Sequence, residues 1–212
     1  MKHLLRLSNW IDALNQLVGK IVLWLVLAAA AVSAYNAIIR KLYDIFPYEF
    51  FRSSNAFLEI QWYFFAAVFL LGAGFTLLHR GHVRIDVIVG RFSRRTQVGV
   101  EIFGLVFFLF PFVISVVVEV WPTLYNAYVI KEMSENASGL IRWPVYALIP
   151  AGFALLGIQG ISELIKRIAF LTGHGEDPGI KKETRSVEAL VDEFRSRKQG
   201  READAGPGLE RQ

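Results

Sequence analysis

Four long runs without a charged residue constrain this chain more than any other feature of its sequence. The runs are 19, 19, 17 and 20 residues long and cover residues 21–39, 60–78, 102–118 and 143–162. A bilayer core about 30 Å thick is crossed by about 20 helical residues, and a backbone in hydrocarbon must satisfy its own hydrogen bonds. The runs therefore predict an all-α integral membrane protein with four transmembrane helices.

The predicted four-helix membrane domain covers residues 20–170. Its helices are expected at about 20–40, 58–79, 98–120 and 143–167. The first run has a competing interpretation as a signal peptide, because the alanine-rich residues 28–34 resemble a cleavage site. About 20 residues precede that run, which is long for the start of a signal peptide, and the apolar residues continue to Ile39. These two features favour a retained helix.

Two further segments have the spacing of amphipathic helices. In residues 1–19 the spacing of three and four residues is kept by Leu4, Leu7, Ile11, Leu14 and Val18. This segment is too short and too polar to span a membrane, so it is expected to lie along the interface or to pack on another helix. Between the second and third spans, a short stripe is formed by Ile85, Ile88, Val89 and Phe92. With the arginines that accompany this stripe, the segment is either a positively charged membrane anchor or a docking element for another protein.

The distribution of positive charge predicts the orientation. The two termini and the loop between the second and third spans carry 18 Lys and Arg residues, against 5 on the other side. Cytoplasmic loops are enriched in these residues, so both termini are predicted to be cytoplasmic. The excess charge can contact anionic membrane lipid. No basic patch is interleaved with aromatic residues as in nucleic-acid-binding proteins, so no nucleic-acid partner is expected.

The same sequence favours a packing role over an enzymatic one. With no cysteine, the chain has no thiol nucleophile and no cysteine-based metal site. His79 and His82 form only a weak metal pattern, and no catalytic residue, metal ligand or cofactor is predicted. The acidic residues near the spans sit at the helix ends, whereas ion-coupled transporters usually keep a charge at mid-membrane. The tail, residues 171–212, is expected to be largely disordered and is assigned no function.

Several short stretches resemble the small membrane subunit of TRAP transporters, the tripartite ATP-independent periplasmic transporters of the DctQ-like family. They are residues 59–65 (EIQWYFF), 72–77, 81–87 (GHVRIDV), 139–144 (GLIRWP) and 149–152. The resemblance extends over about residues 15–170. A proline-glycine-glycine-like turn is frequent in the family before the Trp-Pro pair, and here that position reads Ala137-Ser138-Gly139.

The resemblance implies a division of labour among three proteins. A large permease subunit would carry the substrate and sodium sites, and a periplasmic solute-binding protein would deliver an organic acid. The small subunit would be non-catalytic, bracing the permease in a bacterial inner membrane and helping to dock the binding protein. The alternative is an unrelated four-helix membrane protein, either an assembly factor or a self-oligomerising channel.

Six residues are the candidates for a partner interface. Glu59 and Trp62 lie three positions apart near the start of the second span, on one helical face. Arg84 and Asp86 follow a turn at Gly81 and are placed to pair with each other or with a partner. The last two candidates are Trp143 and Pro144, which end the stretch 139–144 that resembles the family.

Overall fold

The computed structural model describes residues 1–46, 48, 54–79 and 92–174. Its helices are α1 (Lys2–Ile45), α2 (Asn55–Leu78), α3 (Arg94–Val129) and α4 (Trp143–Leu171). All four are long and apolar enough to cross a membrane. No β-strand occurs in the described ranges, and the only pairing there is an isolated bridge between Met133 and Ile141. The prediction of an all-α membrane protein with four spans is confirmed.

The helix bounds differ most from expectation at the N-terminus. Residues 1–19 and 20–40 were expected as two elements, but α1 continues without a break from Lys2 to Ile45. The expected boundary rested on Lys20, and this side chain is exposed on the surface of the helix, where a single charge does not interrupt the backbone. The other helices contain most of their predicted ranges and extend beyond them, except that α2 ends one residue early.

Two helix starts are fixed by serine side chains. The hydroxyl of Ser54 accepts a hydrogen bond from the Ala56 N–H at 3.2 Å, and that of Ser93 accepts one from the Thr96 N–H at 3.4 Å. Serine is favoured at this position because its oxygen satisfies one of the unpaired N–H groups of the first turn. The starts of α2 and α3 are therefore set locally.

Helix α3 contains a π-helical segment, Leu105–Leu109. At its end the N–H of Phe110 donates to the carbonyl of Leu105, five residues earlier. Pro111 follows, and its nitrogen carries no hydrogen for the regular pattern. The local change of helical pitch thus lies directly before the residue that disrupts an α-helix.

Contacts along the helices define which of them are neighbours. Helices α1 and α2 are antiparallel, since Ser33 bonds to Gln61 at 2.7 Å and Phe75 packs on Gly19 near the other end. Helix α4 approaches α2 closely at Gly152, where a Cβ would lie 2.6 Å from the backbone oxygen of Leu70. Glycine allows this close backbone contact, as in many membrane helix pairs.

The chain divides into two compact units, Met1–Lys166 and Arg167–Gln212. In the second unit the described residues are 167–174, which end α4 and form its cap. Gly173 has a φ of 74°, its N–H bonds to the Phe170 carbonyl at 3.1 Å, and the His174 N–H bonds to the Ala169 carbonyl at 2.9 Å. This pattern is a Schellman cap. The rest of the predicted tail, residues 175–212, lies outside the described residues.

Candidate functional site

The first turns of α2 hold the loop that joins α3 to α4. Asn55, Glu59 and Tyr63 are spaced four residues apart, so they share one helical face. The Asn55 amide donates to the Ala137 carbonyl at 3.1 Å, and the Tyr63 hydroxyl donates to the Ile141 carbonyl at 2.6 Å. The helix therefore binds the loop at two points, on either side of Glu59.

Glu59 lies between these two points, with only 5% of its surface exposed. One carboxylate oxygen accepts hydrogen bonds from the Ser134 hydroxyl and, at 2.9 Å, from the Asn136 amide. The other oxygen accepts from the Leu140 N–H at 2.5 Å. Three donors satisfy the buried carboxylate, as a buried charge requires. We use the name Glu59 network for Asn55, Glu59 and Tyr63 of α2 together with the loop residues to which they are hydrogen-bonded.

The loop, residues 130–142, is also ordered by its own backbone. The Ser134 N–H donates to the Leu140 carbonyl at 3.0 Å, and the Arg142 N–H donates to the Glu132 carbonyl at 2.9 Å. The Arg142 guanidinium lies 3.3 Å from the Glu132 carboxylate, and this hydrogen bond raises the pKa of Arg142. The loop is thus a compact structure rather than an open connection.

Glycine is required at one position of this loop. A Cβ at Gly139 would lie 2.5 Å from the Ser134 Cβ and 2.8 Å from a Glu59 oxygen. A side chain there would require Ser134, the Glu59 carboxylate or both to shift from their present positions. The Ala137-Ser138-Gly139 sequence therefore provides the small residue that the loop needs.

The remaining candidate residues are distributed over different surfaces. Glu59 and Trp62 were expected on one helical face. In the structure Glu59 is buried, whereas Trp62, one turn later, is 68% exposed. Trp143 and Pro144 start α4 and are half-buried. The Trp143 ring packs edge-on against Tyr128, with centroids 5.5 Å apart. Arg84 and Asp86 lie outside the described residues.

An apolar groove adjoins the loop at the same end of α4. It lies between the last turns of α3 and the first turns of α4, and is lined by Trp121, Leu124, Tyr125, Tyr128, Trp143 and Ala147. Tryptophan and tyrosine are enriched where membrane helices meet the polar interface. The groove thus places the Trp143 candidate in an aromatic surface at the edge of the predicted span.

A second polar network joins α1 and α4 near the other end of α4. Asp12 accepts hydrogen bonds from Gln159 at 3.0 Å, from Ser162 at 2.7 Å and from Lys166 at 2.8 Å. The Lys166 ammonium also lies 2.9 Å from Glu163. We call this set of α1 and α4 residues, with Ser8 and Asn15 described next, the Asp12 network.

Two neutral residues of α1 extend the Asp12 network. The Ser8 hydroxyl lies 2.7 Å from the Ser162 hydroxyl, and the Asn15 amide donates to the Gln159 oxygen at 2.9 Å. The Asn15 oxygen points toward α2, where a Cβ at Gly74 would lie 2.2 Å from it. Asn15 therefore sits where three helices meet.

The sequence singled out Glu59 as a candidate for a partner interface, but it did not predict the loop residues that bind its carboxylate. The regular spacing of Asn55, Glu59 and Tyr63 was visible in the sequence, but nothing local connects them to residues 134–141, about 80 positions away. The Asp12 network was also missed, although Gln159, Ser162 and Lys166 recur at three- and four-residue spacing. Among the described residues no three His, Cys, Asp or Glu side chains are grouped as a metal site requires.

These features define a multi-pass helical membrane protein. Each span keeps outward-facing surface, and the loop between α3 and α4 is ordered by hydrogen bonds. Residues 42–170 match the family model for tripartite ATP-independent periplasmic transporters, DctQ component. The match covers more than half of the 212 residues, so the chain belongs to the DctQ family and is the small membrane subunit of a TRAP transporter. This membership replaces the alternative of an unrelated assembly factor or channel. Searches of the curated proteins and of the solved structures each gave no match.

Proposed function

We propose that this chain is a non-catalytic subunit that braces the large permease of a sodium-coupled importer of organic acids. In this proposal it also helps to dock the periplasmic solute-binding protein, and it resides in a bacterial inner membrane. The observation that carries the proposal is the DctQ match over residues 42–170. The two mechanical roles rest on the surfaces described below.

The bracing role is supported by the uncovered surface of the helices. In the most apolar 18-residue stretch of each helix, the rest of the chain buries only 11% to 33% of the residues. Helix α2 presents an aromatic stripe of Trp62, Phe65 and Phe69, all strongly exposed. Such a surface needs lipid or another apolar surface against it. We propose that part of it, including Trp62, contacts the large permease, as do Arg84 and Asp86.

The docking role is supported by the Glu59 network. Loops are exposed and variable by default, whereas residues 130–142 are held to α2 by five hydrogen bonds, three donated by the loop and two donated by α2. An interface needs its surface groups preorganised, because ordering them on binding weakens affinity. In this proposal Glu59 acts by positioning the loop, and Trp143 and Pro144 support it from the start of α4.

The experiment that tests this function is uptake by proteoliposomes. The chain alone should transport nothing, and the chain with its large subunit and binding protein should take up an organic acid when a sodium gradient is imposed. Uptake by the isolated chain would contradict a subunit role. Equal uptake by the large subunit and binding protein without this chain would contradict the bracing and docking roles.

The docking role also requires the loop to face the periplasm. The charge distribution, 18 Lys and Arg residues against 5, supports cytoplasmic termini and a periplasmic loop. Single cysteines can be introduced without background because the chain has none. Glu135→Cys and Arg95→Cys, both at exposed positions, should react with a membrane-impermeant maleimide from the periplasmic and cytoplasmic sides respectively. The reverse pattern would contradict the orientation.

A further inference from the structure

The N-terminal part of α1 has its polar side turned inward. Ser8 and Asn15 are fully buried, and Asp12 is held by α4 through Lys166 at 2.6 Å. The opposite side of the same turns carries large apolar residues that are 47% to 74% exposed, namely Leu7, Trp10, Leu17, Ile21 and Trp24. Their spacing of three, four or seven residues keeps them in one stripe. We call this the outward stripe.

A row of basic residues lies beside the outward stripe. Lys2, Arg6 and Lys20 are exposed, and none of them forms an ion pair with a residue that the structure describes. Asp12 is the first acidic residue of the chain and the next is Asp44. Because Asp12 is bound within its network, the outward face of residues 1–24 carries positive charge only.

The length of α1 determines where this face must lie. At 1.5 Å per residue, its 44 residues extend for about 66 Å, roughly twice the thickness of the hydrocarbon core. The apolar surface therefore continues beyond the part of the helix that a perpendicular span would use. A helix with an apolar stripe beside a basic row has the composition of elements that bind the membrane interface.

We infer that the outward face of residues 1–24 is a binding surface for anionic phospholipid. The outward stripe packs among acyl chains near the headgroups, while Lys2, Arg6 and Lys20 contact lipid phosphates. Charge complementarity selects the lipid, since the face offers cations and no exposed carboxylate. The Asp12 network contributes by removing from this face the one acidic side chain that would repel the lipid.

The test uses the full-length chain in phosphatidylcholine vesicles that contain phosphatidylglycerol in both leaflets, so the result does not depend on orientation. Electron paramagnetic resonance of trace spin-labelled phosphatidylglycerol and phosphatidylcholine gives the relative association of each lipid with the protein. The wild-type chain should prefer phosphatidylglycerol. Arg6→Gln/Lys20→Gln should reduce that preference at least about threefold, because each cation near an anionic surface contributes appreciably.

The matched control is Arg40→Gln/Lys41→Gln, which removes the same charge from exposed positions near the other end of α1. There Asp44 is close in sequence and offsets the charge. This control should keep most of the preference. An unselective wild-type chain, or equal losses in the two double variants, would overturn the inference.

A second measurement separates lipid from a protein occupant. A nitroxide attached at Leu17→Cys, in the middle of the outward stripe, should be quenched by lipid-soluble relaxation agents in the reconstituted chain. If a second copy covered this face, the label would be protected and would show dipolar broadening. That result would overturn the inference, and it is independent of the uptake assay that tests the transport role.

Discussion

The Glu59 network and the Asp12 network each satisfy one carboxylate with three donors, but Glu59 is buried, whereas Asp12 keeps 19% of its side chain exposed. Glu59 is satisfied by a hydroxyl, an amide and a backbone N–H, all supplied by one loop. Asp12 is satisfied by two neutral donors and the Lys166 ammonium, all supplied by another helix. Along α4, the Asp12 network begins at Gln159, a helical rise of about 24 Å after Trp143, where the loop of the Glu59 network ends.

The difference in donors indicates a difference in role. Hydrogen bonds from a loop to a helix order a surface, and their loss releases that loop without separating helices. An ion pair between two helices sets their packing and register, and its loss leaves a charge without its partner. We therefore expect Asp12 variants to lower global stability and Glu59 variants to act locally.

The largest effect is expected from Asp12→Ala. This change leaves Gln159 without its acceptor, Ser162 with one acceptor fewer, and Lys166 without one of its two carboxylates. Breaking a buried pair costs about 3–5 kcal/mol, and the lower end applies because the two side chains keep 20% and 19% exposure. Thermal unfolding in detergent measures it. Asp44→Ala, an exposed carboxylate of the same helix, is the control and should change stability by less than about 0.5 kcal/mol.

A somewhat smaller effect is expected from Gly74→Ala. The new methyl group would lie 2.2 Å from the Asn15 oxygen and 3.2 Å from the Leu155 carbonyl, and such overpacking costs about 1–3 kcal/mol. Combined with Asn15→Ala, the loss should be smaller than the sum of the single losses, because the clashing oxygen is gone. Gly99→Ala in α3, where the new Cβ meets no atom within 4 Å beyond its chain neighbours and its own helix backbone, should not destabilise the protein. Strict additivity would contradict the three-helix contact.

A local effect is expected from Glu59→Gln. The new side-chain amide keeps one acceptor oxygen. Its NH2 group, however, is a donor and would face loop groups that are themselves donors. Hydrogen exchange followed by mass spectrometry should show faster exchange for peptides that contain Leu140, by roughly tenfold, while peptides from α1 stay protected as in the wild type. Faster exchange throughout the protein would show that the two networks are not separable.

The smallest effect is expected from Glu132→Gln. This residue pairs with Arg142 at 3.3 Å, but the two side chains are 30% and 33% exposed, and exposed pairs contribute little. The melting temperature should change by about 2 °C or less. A larger change would place the Glu132–Arg142 pair among the determinants of the loop fold.

The sequence predicted the helices well because each is set by a long local property, the absence of charge over about 20 residues. The predicted helix bounds differ from the structure at the start of α1. A boundary was expected at Lys20, but this exposed side chain does not interrupt the helix. The amphipathic pattern was also ambiguous there. Ile11 belonged to the expected apolar stripe and is buried, whereas Trp10, which lay beside that stripe, is exposed. The polar residues Ser8 and Asn15 determine the packed face instead.

The site was less predictable because its partners are distant in the sequence. Glu59 was a candidate because it is a charged residue at the start of a span. Its environment, however, depends on Ser134 and Asn136, more than 70 positions later. Only the folded loop, with its bridge between Met133 and Ile141, brings these groups together. Spacing also placed Glu59 and Trp62 on one helical face, but it could not show that Glu59 is buried and Trp62 is 68% exposed.

The most direct test of the account is uptake by the assembled three-component transporter carrying Glu59→Gln. If the loop is a docking surface that Glu59 positions, this variant should retain its large subunit on purification and should require several times more binding protein to reach half-maximal uptake. Glu132→Gln, in the same loop, serves as the matched control and should behave like the wild type. Unchanged dependence on the binding protein, in a variant whose loop exchanges faster, would contradict the account.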